Sequence, residues 1–120
     1  MSQFGRDEIL DYARRRFGID PDYPFEKYPR YVALRVAGTG KWFALVMDVP
    51  RNRLGLEGEG RIDILDVKCP PATIATLRTR DGFLPAYHMD KNHWITVRLD
   101  GSVPGAEITR LLDTSHQLVE

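Results

Sequence analysis

One hundred and twenty residues, 42% of them apolar, are enough for one domain with its own core and too few for two. Seventeen Lys and Arg residues face seventeen Asp and Glu, so the formal charge is zero. That balance excludes a bulk electrostatic binder of nucleic acid and an acidic disordered tail.

In chain order, the apolar positions Ile9, Leu10, Ala13 and Phe17 recur at helical spacing. Asp7 and Glu8 lie in the first turn and Arg14, Arg15 and Arg16 near the end, as the helix dipole favours, and Gly18 is a stop signal. Phe4 and Ile9 have the spacing of a hydrophobic staple across Gly5. Residues 20–24, with two prolines and two aspartates, read as a connector. Residues 31–37 alternate, with Val32, Leu34 and Val36 opposite Arg35. Gly38-Thr39-Gly40-Lys41 is a turn and residues 42–49 a second strand, which makes a β-hairpin. The glycine-rich stretch 50–60 reads as a loop or a loose hairpin tip, and residues 61–67 form a third strand with Ile62 and Ile64 on one face. After Cys69-Pro70-Pro71, Ile74 and Leu77 predict a short helix over 72–80. Strands follow over 83–87 and 94–99, the latter with Ile95, Val97 and Leu99 on its core side. Asp100-Gly101 is a turn, and beyond Pro104 the series Ile108, Leu111, Leu112, Ser115, Leu118 and Val119 predicts a closing amphipathic helix.

The order α-β-β-β-α-β-β-α with short connections implies antiparallel pairing. Three helices with one apolar stripe each cover one face of a sheet of about five strands, so the expected fold class is an α+β two-layer sandwich over residues 1–120. The other sheet face is expected to be partly solvated, with Arg35, Asp63 and Arg98 on it. The lone Cys69 cannot close an intramolecular disulfide, the amino terminus is polar, and no apolar run reaches a membrane span or signal-peptide core. A cytoplasmic protein, monomeric or weakly dimeric and with no membrane partner, is the expectation.

The segment Tyr87-His88-Met89-Asp90-Lys91-Asn92-His93-Trp94-Ile95-Thr96-Val97, followed by Leu99-Asp100-Gly101-Ser102-Val103-Pro104, resembles the central signature of the MmcQ/YjbR family. Gly40-Lys41-Trp42-Phe43-Ala44, Lys68-Cys69-Pro70 and Ser115-His116-Gln117-Leu118-Val119 extend the likeness over nearly the whole chain. Asp90 stands where the family commonly has Asn, Ala86 where Gly often precedes the Tyr-His pair, and Pro71 with Ala72 where an Asp-Pro-Glu-like start is frequent. The resemblance implies a frataxin-like or secretion-chaperone-like α+β fold and a DNA-binding module with a double-wing motif.

On that reading Lys91, Asn92, His93 and Trp94 form a recognition corner, with a cation for phosphate, an amide and an imidazole for base edges, and an indole for stacking. Lys41 and Trp42 supply a second wing, and Lys68 a further cation. The competing reading makes Trp94 core, His93 a turn cap and Lys91 a solvated side chain. Asp90 beside Lys91 counts against anion binding there. No pair among His88, His93, His116 and Cys69 has the spacing of helical metal ligands, and no metal or cofactor is expected. Asp63 and Asp66 fall on opposite strand faces, which removes a carboxylate pair for acid–base work. No catalytic set is readable; an enzyme would need Tyr87, His88, His93 and Cys69 to converge on a pocket. The alternative to weak DNA binding is a protein- or peptide-interaction domain that uses the open sheet face or an edge strand.

Overall fold

The computed structural model describes residues 4–120; residues 1–3, the start of the amino terminus read above, lie outside them. Helix α1, Arg6–Phe17, starts where Glu8 Oε1 accepts the Gly5 N–H at 2.8 Å and stops at Gly18, whose φ of 68° and N–H bond to the Arg14 carbonyl close the last turn. Five strands follow: β1 Val32–Arg35, β2 Trp42–Pro50, β3 Arg61–Lys68, β4 Phe83–Pro85 and β5 Trp94–Arg98. A 3₁₀ turn, Arg51–Leu54, follows β2, helix α2, Pro71–Leu77, lies between β3 and β4, and α3, Gly105–Val119, closes the chain. The strands form one antiparallel sheet in the order β1-β2-β3-β5-β4. This is the expected α+β architecture.

Period-two alternation divides the sheet into two faces. On one, Val32, Leu34, Val46, Leu65, Val67, Ile95 and Val97 join Ile9 and Ala13 of α1, Ile74 and Leu77 of α2, and Ile108, Leu111 and Leu112 of α3 in a single buried cluster. All three helices therefore cover the same face. The other face carries Ala33, Leu45, Met47, Val49, Ile62 and Ile64, with Tyr31 beside them. It is not the partly solvated surface expected: Phe25, Leu54, Leu56, Tyr87 and Met89 fold over it from the flanking loops. Arg35 and Arg98 do lie on this side. Asp63 does not, because it alternates with Ile62 and Ile64; it sits at the margin of the helix side, where Arg6 of α1 holds it at 3.3 Å.

Two local departures shape the second face. Leu34 pairs with Ala44 but Arg35 with Trp42, so Phe43 is the extra residue of a β-bulge. The bulge sends Phe43 to the helix side, against Phe17 at 5.2 Å and His116 at 4.9 Å, and leaves Trp42 on the other. The strand predicted over 83–87 ends at Pro85, which has no N–H for the ladder, and Tyr87 gives its N–H to the Thr96 hydroxyl instead of a backbone carbonyl.

Candidate functional site

Among the described residues, aromatic side chains gather on the face that lacks helices. The segment after Pro24 turns twice, with Tyr28 N–H bonding the Phe25 carbonyl and Tyr31 N–H the Tyr28 carbonyl. These turns stack Tyr28 on Tyr31 at 4.6 Å and set Phe25 against Tyr31 at 5.8 Å and Trp42 at 5.6 Å. The Arg35 guanidinium lies 5.5 Å from the Trp42 ring and is itself held by Asp22 at 2.8 Å. Opposite this wall stand Tyr87, His88 and Met89; between the two walls, over Leu45 and Met47, lies a groove of about 340 Å³. Arg53 and Arg61 stand in its lining, and no carboxylate does. The volume is that of a site for one large side chain or a small ligand.

The Tyr87 wall is anchored from below. Thr96 Oγ1 accepts the Tyr87 N–H at 2.9 Å and donates to Asp66 Oδ1 at 2.5 Å. Asp66 is fully buried, and its Oδ2 has no hydrogen-bond partner among the described residues. Burial pushes the Asp66 carboxyl up to about 7, against the opposing pull of the Thr96 hydrogen bond and the Lys91 charge. His88 takes a left-handed φ of 63° at the crest of this wall, an uncommon conformation for a residue with a side chain, and packs against Tyr87 at 4.0 Å. Burial also raises the Tyr31 phenol, and Tyr87, Asp48 and Tyr28 add to the rise while Arg61 opposes it.

The residues of the expected recognition corner do come to one end of the sheet, because β2 begins, β3 ends and β5 begins there. Lys41 is exposed in the β1–β2 turn, and Lys68 is half-buried opposite Trp94. Asn92 and His93 are exposed, and Trp94 is buried. Their polar groups are turned on one another. Asp90 accepts the Asn92 N–H at 2.9 Å and lies 2.7 Å from His93 Nδ1, and those contacts hold its carboxyl below the usual range. Lys91 gives its ammonium to the Ala86 carbonyl at 3.0 Å. Trp42, by contrast, belongs to the groove.

His93 and Cys69 do not reach the groove. Cys69 is buried, and burial pushes its thiol up to about 11, away from a thiolate nucleophile. Among the described residues no three His, Cys, Asp or Glu side chains could share a metal ion. What sequence reasoning missed is the first wall: Phe25, Tyr28 and Tyr31 fall within seven residues, an aromatic density that a connector does not require. Arg53, within the stretch 50–60, and Arg61, at the start of the third strand, carried no signal of a shared site either.

A family model, YjbR, matches residues 17–118. The chain belongs to the YjbR family. This YjbR-family protein is 44% identical over 115 residues to the uncharacterized protein YyaQ of Bacillus subtilis strain 168, a match that spans 96% of this chain and 98% of that one. It is 39% identical over 111 residues to the uncharacterized protein YjbR of Escherichia coli K12, spanning 92% and 82% respectively. A crystal structure of a Pseudomonas syringae protein superposes with a TM-score of 0.94 at 41% identity, covering 97% of this chain and 99% of that one. The Deinococcus radiodurans protein DR2400, at 24% identity and a TM-score of 0.74 over 97% of this chain and 78% of that one, shares the fold. Among the described residues no helix is long and apolar enough to cross a membrane.

Proposed function

We propose that this YjbR-family protein is a non-enzymatic, cytoplasmic interaction module that receives a segment of a partner protein in the aromatic groove on its sheet face. The observation that carries this reading is the groove itself: about 340 Å³ walled by Tyr28, Tyr31, Trp42 and Tyr87, on the one sheet face that the helices leave uncovered. The sheet edges support it less. Asp22 and Ala33 exchange both backbone hydrogen bonds along the outer side of β1, and β4 is three residues long and ends in proline, so neither edge offers a row of unpaired groups for strand addition. A buried Cys69 and a groove lining without a carboxylate favour binding over catalysis. The test is selection of short peptides on the folded protein, followed by amide-shift mapping of the best binder. Shifts at Tyr31, Trp42 and Tyr87 are expected, and binders that perturb none of them would contradict the reading.

Weak DNA binding through Lys41, Trp42, Lys68, Lys91, Asn92, His93 and Trp94 is the second reading, favoured by the gathering of these residues at one end of the sheet. Its prediction is duplex binding at about 20 mM salt with a shallow salt slope, since few phosphates would be neutralised. The internal pairing of Lys91 and His93 and the burial of Trp94 place this reading second.

A further inference from the structure

Charge complementarity narrows the occupant of the groove. A second depression of about 360 Å³ adjoins the first and shares Arg53, Tyr87 and His88 with it, and Lys91 lies in its lining. Neither lining contains Asp or Glu, in a chain whose acidic and basic residues are equal in number. The cations differ in availability. Arg61 is held by Asp48 at 3.0 Å, and the Lys91 ammonium by the Ala86 carbonyl. Arg53 is exposed on the 3₁₀ turn, lines both depressions, and has no hydrogen bond or ion pair among the described residues. The phenol hydroxyls of Tyr28, Tyr31 and Tyr87 likewise have no hydrogen-bond partner there, and each can donate to an anion.

We infer that the occupant is an acidic peptide segment in which a carboxylate stands beside a large aromatic side chain, the ring entering between Tyr31, Trp42 and Tyr87 and the carboxylate meeting Arg53. This rests on the reading of the groove as a partner-segment site and adds its chemistry. Ring-on-ring contact with offset or edge geometry suits a pocket already built from such pairs. A guanidinium at the mouth, still solvated when empty, gains a carboxylate without first breaking an internal pair, and its planar fork can hold both oxygens.

The experiment titrates the folded protein, full chain, with three blocked pentapeptides: Gly-Asp-Phe-Asp-Gly, its Asn counterpart Gly-Asn-Phe-Asn-Gly, and Gly-Asp-Ala-Asp-Gly, each followed by amide shifts. The first is expected to bind at the groove and to perturb Tyr31, Trp42 and Tyr87. The Asn peptide should bind about fivefold more weakly, the scale of one partly exposed ion pair. In Arg53→Ala the Asp and Asn peptides should agree within about twofold, by the same scale; Arg53 is exposed and makes no hydrogen bond or ion pair among the described residues, so this variant is expected to keep the fold. Equal binding of Asp and Asn peptides to the unmodified protein would overturn the inference and leave the groove reading standing. Binding of the Ala peptide as tight as that of the Phe peptide would overturn it too. Groove shifts from an oligothymidylate but from no peptide would replace the occupant with single-stranded nucleic acid, and no groove shift from any probe would remove both the inference and the reading beneath it.

Discussion

Asp66 is the residue at which burial and hydrogen bonding disagree most. Its carboxyl titrates near 7 in the folded protein and near 3.8 in an unfolded chain, so between those values the folded state holds more protons. Stability therefore falls as pH rises from about 4 through about 7 and is level above it, by about 1.4 kcal/mol for each unit of difference. Urea unfolding at pH 5 and pH 8 should show a fall of at least about 2 kcal/mol on this scale, and Asp66→Asn should remove most of it. An equal fall in the variant would assign the slope elsewhere. Asp90 and Glu107, both held below their usual values by hydrogen bonds, act in the opposite sense and at lower pH. Ser115 is a second case. It falls on the same helical stripe as Ile108, Leu111 and Leu112 and is buried as that pattern requires, but its hydroxyl donates to the Phe43 carbonyl at 2.5 Å and accepts the Lys68 N–H at 2.9 Å. Ser115→Ala orphans both backbone groups and should cost about 1–3 kcal/mol in denaturant unfolding. A loss under about 0.5 kcal/mol, the scale of a surface substitution, would show that water replaces the hydroxyl.

At the scale of elements, the sequence pattern located the three α-helices and five strands of the described residues, with α2 ending at Leu77 short of the expected 80, and left out the 3₁₀ turn Arg51–Leu54 and the irregularities that build the groove. The apolar stripes of α1 and α3 and the alternation of β1, β3 and β5 are local signals, and the structure follows them except at Leu118, which is exposed near the end of α3. The bulge at Phe43 is not local. It depends on the register between β1 and β2 and on the room that Phe17 and His116 leave for a ring on the helix side. Without it Trp42 would face the helices and the groove would lack its end wall. Phe43→Ala, at a fully buried position, should cost about 3–5 kcal/mol on thermal or chemical unfolding. Phe43→Leu should restore the greater part, and a cost for Phe43→Ala near 1 kcal/mol, about that of an average substitution, would contradict the packing described. The turn before β4 imposes a second constraint. Gly82 has a φ of 93°, and a Cβ there would meet Val103 Cγ2 at 2.6 Å, so Gly82→Ala should unfold the protein at lower denaturant than wild type. An unchanged midpoint would mean that Val103 moves aside freely.

At the scale of the whole molecule, the balance of charge is uneven in space though even in sequence. Arg6, Arg30 and Arg61 gather around Asp48 and Asp63, and Arg80 is held by Glu107, so these charges are consumed in pairs. What is left over at the groove is basic. The family and the α+β sandwich were legible in the motif 87–104 and in the order of elements, because both are carried by contiguous residues. The groove was not, because its walls come from residues 25–31, from the bulged start of β2 and from 87–89, which meet only after the sheet has formed. The same assembly gathers the cations of the expected DNA corner at the sheet end and lets Asp90 and Ala86 occupy two of its groups. One measurement separates the two surfaces: amide-shift mapping of the labelled protein against the acidic aromatic peptide and against a short DNA duplex, both at low salt. The account predicts peptide-induced shifts at Tyr31, Trp42 and Tyr87 that Arg53→Ala weakens. Shifts confined to Lys68, Asn92 and His93 on addition of duplex, with the groove silent to peptide, would contradict it.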